Sequence, residues 1–227
     1  VPNIRFGGLK YGDGGLIDGL ARDGLSDAYD GSAMGKCGDV CSKKYNISRQ
    51  AQDDWAIQSY KKSADSTSKG YFKEEIVPVE IKGKKGESTF VSEDEEFKKV
   101  VFEKIPTLRA AFSPDGTVTA ANASKINDGA SAFVMSSYEK AGALGLKPIA
   151  RVVGYADAAT EPVEFTVAPS LAIPKALKMA GLKVEDIDLW EINEAFAVVA
   201  LVNAQLLNIP LEKLNVFGGA VALGHPI

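Results

Sequence analysis

The sequence predicts an α/β protein, because apolar runs typical of strands alternate with helical patterns through its second half. Residues 131–135 form a compact apolar run, and residues 139–144 follow as a helix before the β-rich segment 150–155. Further on, residues 188–192 predict a buried strand and residues 195–207 an apolar helix. Such alternation is typical of helices packed on a mostly parallel sheet.

Prolines and glycines mark where the elements of this half begin and end. Pro169 suits a first helical turn and opens a helix that we expect to run to Met179, where Gly181 supplies the left-handed residue that ends many helices. A last strand is predicted to begin at residues 216–217, where the following glycines cut it short.

Two helices are predicted in the first half, before Gly70. Met34, Cys37 and Cys41 recur at helical spacing, and Ser48 is a suitable N-cap for a second helix. One side of that second helix carries Ala51, Trp55, Ala56 and Tyr60. The Gly-rich residues 1–33 are predicted to be loop.

A β-rich region and a charged segment follow these helices. Residues 75–81 alternate as a strand does, Pro78 favours a sheet edge, and residues 84–86 predict a turn before a second strand at 88–91. Residues 93–104 are rich in charge and predict a solvated surface.

Composition argues against two kinds of partner. Among 227 residues, 26 Lys and Arg stand against 30 Asp and Glu, and a net charge of −4 provides no basic field to attract nucleic acid. The apolar runs are too short and too interrupted to cross a bilayer, so no membrane partner is expected. The two cysteines lack the density of a disulfide scaffold and have no nearby His, which makes a poor zinc site.

The strand-to-helix junction at residues 190–197 carries two polar residues. Asn193 and Glu194 stand at the carboxyl end of a predicted strand, where open α/β sheets place their sites. The same residues suit a structural role, with Asn193 capping the helix and Glu194 complementing its dipole. The residues alone leave both interpretations open.

A glycine-rich run at residues 218–226 contains the only histidine of the chain, His225. The glycine spacing is that of a phosphate loop, but His225 and Pro226 stand where such a loop needs Lys and then Ser or Thr, so nucleotide hydrolysis is rejected. A histidine on a Gly-flanked turn is a candidate base, since it titrates near neutral pH.

These motifs resemble a known family. Asn193-Glu194-Ala195-Phe196, followed by Gly218-Gly219-Ala220 and Gly224-His225-Pro226, resembles the two late signature blocks of the thiolase family, most closely its eukaryotic acetoacetyl-CoA branch. The resemblance includes residues 117–124 and 127–130 and covers essentially the whole chain. It implies the thiolase fold, a five-layer αβαβα core of two similar halves with an inserted loop domain, of which only part is present here. Residues 1–126 would be the loop domain, 127–147 the end of the first half and 148–227 part of the second half.

The resemblance implies roles for both late motifs. His225 would take the proton from a nucleophilic cysteine and then donate to the thioester oxygen, and Asn193 would orient a water that completes the oxyanion hole. Both catalytic cysteines of the family fall outside residues 1–227, so we expect an internal segment that is inactive alone. Cys37 and Cys41 match no catalytic position and are predicted to be small buried residues.

Coenzyme A is the substrate that the resemblance implies, bound by apolar side chains and a few polar contacts. The matching positions are Leu25, Met34, Lys99, Phe112, Ala120, Ser124, Ile126 and Phe196. Ser124 would contact the pantetheine amide, and Lys99 with Lys104 would lie at the nucleotide end. Without the resemblance, Leu25, Phe112 and Ile126 would be interpreted as core residues.

A potassium site is implied by a potassium-activated eukaryotic subgroup of the family. Phenol and carbonyl oxygens suit a hard monovalent ion. The matching positions are Tyr60, Ala120, Ala121, Ala123 and Val221. The alternative is that Tyr60 only packs its helix.

The implied activity is that of an acetyl-CoA acetyltransferase. It comprises the Claisen condensation of two acetyl-CoA to acetoacetyl-CoA and CoA, which feeds mevalonate and sterol precursor synthesis, and the reverse thiolysis. Alternatives are a degradative thiolase for longer 3-ketoacyl-CoA, from which Phe165 near the acyl pocket argues away, and a non-catalytic fragment that binds CoA or forms oligomers. The family further implies a homotetramer in the cytoplasm, with the mitochondrial matrix as the alternative compartment.

Overall fold

The computed structural model describes residues 15–83 and 86–226. The loop prediction for residues 1–14 and the turn prediction for Lys84 and Lys85 lie outside the described residues. The chain divides into two compact units, Val1–Met34 and Gly35–Ile227. The predicted domain boundaries after residues 126 and 147 stay predictions.

Helices make up most of the regular structure in the described part. The α-helices are α1 (Gly19–Gly24), α2 (Gly35–Tyr45), α3 (Arg49–Ser68), α4 (Tyr138–Ala143), α5 (Ala168–Ala180), α6 (Ala197–Leu207) and α7 (Ala220–Leu223). Short 3-10 turns lie at Glu96–Lys98, Phe102–Thr107, Pro162–Val167, Val184–Asp186 and Leu211–Lys213, and the strands are β1 (Val79–Lys82) and β2 (Ser88–Val91).

The first unit contains α1, which Asp18 caps by accepting the N–H of Leu20 at 3.0 Å. After α1 the chain turns back on itself, and the Met34 N–H donates to the carbonyl of Leu25 at 2.9 Å. These two predicted CoA residues are therefore neighbours in one turn of the first unit.

Both helices predicted before Gly70 are confirmed. In α2, Cys37 and Cys41 are buried, as their helical spacing predicts. Ser48 caps α3 by accepting the N–H of Ala51 at 3.1 Å. Trp55, Ala56 and Tyr60 lie on the buried side of α3.

Both strands predicted in the β-rich region are confirmed, although the first is shorter than expected. Strands β1 and β2 pair antiparallel, with Val79 opposite Val91. The first strand begins only after Pro78, because proline has no N–H to donate to a neighbouring strand.

The main core surrounds α6, which is apolar on almost every side. A helix of this kind belongs in the centre of a domain. Val198 and Val202 of α6 pack in one cluster with Cys41 of α2, Trp55 of α3 and Leu214. The predicted start of α5 near Pro169 and its end at Gly181, which adopts the left-handed φ of 71°, are confirmed.

A buried asparagine joins α6 to α5. The Asn203 side-chain oxygen accepts the N–H of Ser170 at 2.8 Å, so it satisfies a backbone donor in the first turn of α5. Its amide nitrogen donates to the carbonyls of Thr166 and Val199, both at 2.8 Å. All the hydrogen-bonding groups of this fully buried side chain are therefore used.

The strands predicted at residues 131–135, 150–155 and 216–217 are wrong for the described chain, where β1 and β2 form the only sheet. A strand needs a neighbour for its N–H and C=O groups, and residues 131–135 and 150–155 have none. Their apolar side chains are accordingly exposed, as in Val134 and Val152. The strand predicted at 188–192 is reduced to one parallel bridge between Trp190 and Leu214.

Candidate functional site

The first part of the site is the turn formed by residues 117–125, which α3 and the start of α6 hold in place. Asn122 is fully buried, and its amide donates to Asp53 of α3 at 3.0 Å while its side-chain oxygen accepts the N–H of Thr119 at 2.8 Å. Its carbonyl accepts the N–H of Ala197 at 2.8 Å, and the Ser124 N–H donates to Ala195 at 3.0 Å. The turn is thereby joined to the 193–197 segment by main-chain hydrogen bonds.

Asn193 and His225 face each other across the site. The Asn193 Nδ2 lies 3.2 Å from the His225 Nε2, although the two residues are 32 positions apart. Which atom donates depends on the imidazole tautomer: with the proton on Nδ1, the amide of Asn193 donates to Nε2. Asn193 is exposed and His225 half-buried, so both reach the solvent side of the core.

The helix-capping interpretation of these polar residues is wrong. Helix α6 begins after Phe196 without any side-chain cap, and Asn193 contacts His225 instead. Glu194 is fully buried, and its carboxylate accepts an N–H of α7 from Val221 at 3.2 Å rather than one of α6.

Glu194 accepts four hydrogen bonds from three parts of the chain. Its Oε1 accepts the Trp55 indole N–H and the Asn215 amide, both at 2.9 Å. Its Oε2 accepts the Ser59 hydroxyl at 2.7 Å as well as the Val221 N–H. Four donors satisfy a buried carboxylate without a paired cation. The residue after Asn193 is thus anchored to α3 and to the start of α7.

The glycines of the 218–226 run are required by close approaches. Gly218 has φ of 90°, and an added Cβ there would lie 1.9 Å from the Ser63 hydroxyl of α3. At Gly219 a Cβ would lie 2.4 Å from the Glu194 carboxyl carbon. The glycines therefore let the loop lie directly against α3 and the buried carboxylate.

His225 is also held by its backbone. Its N–H donates to the carbonyl of Lys125 at 2.9 Å, within a parallel bridge between Ile126 and His225. Gly224, with φ of 109°, precedes it. The imidazole is therefore positioned between the 117–125 turn and the Asn193 segment.

A cleft of about 420 Å³ opens beside these residues and is bounded by Asn193, Asn215 and the 217–220 segment. A larger cavity of about 690 Å³ lies between the end of α2 and the 113–117 segment, and none of the predicted site residues line it. The smaller cleft adjoins the Asn193 amide, so it is the stronger candidate for an active site.

Two family models match the chain. A thiolase N-terminal domain matches residues 2–139, and a thiolase C-terminal domain matches residues 146–227. The chain belongs to the thiolase family.

Relatives of this thiolase chain are named acetyl-CoA acetyltransferases. A probable acetyl-CoA acetyltransferase of Dictyostelium discoideum is 60% identical over the whole chain, which covers 55% of that protein. Relatives at 49% identity include a cytosolic acetyl-CoA acetyltransferase of Gibberella zeae and a mitochondrial one of Mus musculus, of which the chain covers 57% and 54%. The chain therefore spans little more than half the length of these proteins.

A solved structure confirms the thiolase fold. The Acat5 thiolase of Ascaris suum, in complex with coenzyme A, matches with a TM-score of 0.88 and 46% identity over 95% of this chain and 55% of that one.

Four of the predicted CoA residues line the same region as Asn193 and His225. The Phe112 and Phe196 rings meet edge to face, with centroids 6.3 Å apart. Ser124 and Ile126 flank Lys125 in the turn that contacts Ala195 and His225. Phe112 rests on Gly35 of α2, where a Cβ would lie 2.1 Å from the ring.

The other CoA predictions are placed differently. The Lys99 ammonium is paired with the carboxylates of Glu96 at 2.7 Å and Glu95 at 3.2 Å, which raise the pKa of Lys99. Leu25 and Met34 lie in the first unit. Phe165, predicted near the acyl pocket, packs against the main core. These roles stay predictions.

Three carbonyls predicted to bind potassium accept hydrogen bonds from side chains of this chain. The Lys125 ammonium donates to the carbonyls of Ala120 at 2.5 Å and Ala123 at 3.1 Å. The Tyr60 hydroxyl donates to Ala121 at 3.4 Å, so a third carbonyl already has a hydrogen bond. Val221 packs beside Tyr60 in a small apolar cluster.

Neither cysteine of α2 is placed as a nucleophile. Cys37 and Cys41 are both at most 5% exposed, and burial raises the pKa of the Cys41 thiol. Their predicted role as buried core residues is confirmed. In the described part of the chain, no group of three or more His, Cys, Asp or Glu could hold a metal ion. Among the helices of that part, none is long and apolar enough to span a bilayer.

Sequence reasoning missed Glu194 as an anchor and Lys125 altogether. For Glu194 a signal existed, since the two glycines at 218–219 imply a close approach by another part of the chain. For Lys125 no periodicity or motif pointed to the folded-back side chain.

Proposed function

We propose that the full-length protein is an acetyl-CoA acetyltransferase, which condenses two acetyl-CoA to acetoacetyl-CoA and CoA and catalyses the reverse thiolysis. The observation that carries this proposal is the Asn193 to His225 contact, on two loops that Glu194 and Lys125 anchor. The relatives' names support the same activity.

The proposed chemistry begins with acyl transfer to a thiol from parts of the full-length protein outside these 227 residues. The His225 Nε2 takes the thiol proton, the thiolate attacks the acetyl-CoA carbonyl, and the bond from carbon to the CoA sulfur breaks. The departing CoA takes its proton from an acid outside these 227 residues, so His225 keeps the thiol proton. With Nδ1 protonated, the Nε2 lone pair faces the Asn193 amide, and the thiol replaces that amide as the hydrogen-bond donor to Nε2 before the proton moves.

Carbon–carbon bond formation follows on the acylated thiol. A base takes a proton from the methyl group of a second acetyl-CoA, and the resulting carbanion attacks the acyl carbonyl and expels the enzyme thiolate. Negative charge develops on the thioester oxygen of the second substrate. A protonated His225 and a water oriented by Asn193 are the donors for that oxygen.

The CoA moiety would bind along the surface made by Phe112, Phe196, Ser124 and Ile126. Phe112 and Ile126 are 36% and 66% exposed, which leaves apolar area for the pantetheine chain. The family resemblance also assigns Leu25, Met34 and Ala120 to CoA binding. Lys99 and Lys104 would meet the phosphates, and Lys99 would exchange its carboxylate partners for them.

The assembly and the setting are also proposals. The protein would be a homotetramer, and its acetoacetyl-CoA would enter mevalonate and sterol precursor synthesis. A place in the cytoplasm agrees with the relative that is named cytosolic. The mitochondrial matrix stays the alternative, since another relative is named mitochondrial.

Thiolysis of acetoacetyl-CoA by the full-length protein tests the proposed activity. His225→Ala should lower kcat by about 10²- to 10⁴-fold, the usual effect of losing a general base. Asn193→Ala should lower kcat by about 10²-fold, as for the loss of one oxyanion donor. Lys213→Ala, which removes a hydrogen bond to the Ile187 carbonyl and none to Asn193 or His225, should leave kcat unchanged. A His225→Ala enzyme with wild-type rates in both directions would disprove the assigned role.

A further inference from the structure

The 117–125 turn brings several main-chain carbonyl oxygens close together beside α3. The carbonyls of Ala120 and Ala123 both face the Lys125 ammonium, and the Ala121 carbonyl faces the Tyr60 hydroxyl. Carbonyl dipoles that converge in this way repel one another unless a positive group lies among them.

Lys125 supplies that positive group from within the same turn. Its side chain folds back so that Nζ lies 2.5 Å and 3.1 Å from two carbonyl oxygens and 5.8 Å from the centre of the Tyr60 ring. The side chain is partly buried, and burial lowers the pKa of Lys125 while the charge of Glu96 opposes the shift. Its direct partners are thus the neutral oxygens and the ring face that would suit a dehydrated monovalent ion.

We propose that the Lys125 ammonium is a built-in cation that takes the place of a bound potassium ion, so that this thiolase does not depend on potassium. Ammonium and potassium carry the same charge and are close in size, and two such charges cannot share one set of carbonyls in a partly buried turn without strong repulsion. The covalent cation is present at any salt concentration, whereas a bound ion depends on its supply.

Lys125 also acts as a positioning residue for His225. Its own carbonyl accepts the His225 N–H at 2.9 Å, and its side chain fixes the turn from which that carbonyl projects. Substitution at Lys125 should therefore loosen the backbone beside His225, and a monovalent ion that refills the carbonyl site should restore it.

Thermal unfolding of the full-length protein in different chloride salts tests the proposal without reference to catalysis. The midpoint is compared in potassium, sodium and tetramethylammonium chloride at equal ionic strength, since tetramethylammonium is too large for the turn. The wild-type midpoint should be the same in potassium and tetramethylammonium. The Lys125→Ala midpoint should be lower and should rise in potassium alone, by on the order of 2–4 °C.

Lys213→Ala is the matched control, because its ammonium also donates to a main-chain carbonyl, that of Ile187, at 2.9 Å. This variant should show no response specific to potassium. A potassium-specific rise in the wild-type midpoint, or none in Lys125→Ala, would overturn the proposal.

Crystals grown in rubidium chloride provide a second measurement that does not require the variant to be stable. Rubidium scatters anomalously and replaces potassium in carbonyl sites. The wild-type protein should show no anomalous peak between Ala120, Ala123 and Tyr60, and Lys125→Ala crystals should show one. A peak in the wild type beside an ordered Lys125 would disprove the replacement, whatever the fate of the proposed activity.

Discussion

Gly219 lies so close to Glu194 that an added Cβ would be 2.4 Å from the carboxyl carbon. The same carboxylate accepts the N–H of Val221, two residues further along. A glycine at this position thus allows the loop that carries His225 to rest on a charge buried beneath it. The two late motifs of the sequence are therefore joined by a direct contact between their residues.

Gly219→Ala should lower the free energy of unfolding by about 1–3 kcal/mol, because the new methyl group has no space beside Glu194. Urea unfolding monitored by circular dichroism measures the change. Gly142→Ala is the matched control, since nothing lies within 4 Å of a Cβ in this helical position. That control should be neutral or more stable by about 0.5–1 kcal/mol. Equal effects of the two substitutions would contradict the contact described here.

Glu194→Gln should lower both stability and turnover while the substrate KM stays nearly unchanged. An amide presents two N–H donors where the carboxylate accepts hydrogen bonds, so donors face donors on one side of the network. We expect a loss of about 2–3 kcal/mol in unfolding free energy. Displacement of Asn193 and His225 should lower kcat by about 10²-fold.

Glu212→Gln, an exposed substitution of the same chemical type, is the control for this variant and should change neither quantity. Steady-state thiolysis and urea unfolding of the full-length protein measure both effects. A Glu194→Gln enzyme with wild-type kcat would show that the anchor does not position the catalytic pair.

Tyr60 should make the folded state less stable as the pH rises from about 10 to about 12. Burial and the nearby charges of Glu96 and Glu194 raise the pKa of the phenol to about 12, against 10.0 in the unfolded chain. The folded state therefore binds more protons in this range, so stability present below pH 10 is lost as the pH approaches 12. Two pH units of pKa difference correspond to about 2–3 kcal/mol.

Comparison of wild type with Tyr60→Phe isolates this contribution. Below pH 10, the difference between their unfolding free energies should be constant. Between pH 10 and pH 12, the wild type should lose stability relative to Tyr60→Phe, because only the wild type carries this phenol. A difference that stays constant through pH 12 would mean that Tyr60 is not shielded as its burial indicates.

Cys41→Ala should leave thiolysis by the full-length protein within about twofold of wild type while lowering stability by about 1 kcal/mol. The thiol is 4% exposed in the main core, and its raised pKa disfavours the thiolate that a nucleophile needs. Activity and urea unfolding are measured on the same preparation. Loss of turnover without loss of stability would give this cysteine a chemical role.

Local patterns predicted the helices α2 to α6 because a helix satisfies its own backbone, whereas the prediction of loop for residues 1–33 is wrong where α1 forms. Neighbouring residues alone determine the Ser48 cap, the helical spacing of Cys37 and Cys41, and the end of α5 at Gly181. Strands depend on partners, so the apolar run at residues 131–135 did not specify whether a neighbouring strand would be present.

In the site, as in the fold, local motifs were predicted from the sequence and contacts between distant segments were not. Asn193 and His225 were singled out from their own motifs, and the structure brings them within 3.2 Å. The partners of Glu194 lie on α3, at Asn215 and on α7, and no local pattern around residue 194 identifies them. The interpretation of Asn193 as a helix cap used only neighbours in sequence and was therefore wrong.

The backbone contact between His225 and Lys125 has a consequence for how the molecule folds. It joins residues one hundred positions apart, since Lys125 falls in the N-terminal family model and His225 in the C-terminal one. The contact between Trp55 and Glu194 spans 139 positions. Closing such long loops is slow compared with forming helices. A newly made chain will therefore have most of its helices before His225 reaches its place beside Asn193, and the proposed catalytic site will be among the last parts of the molecule to form.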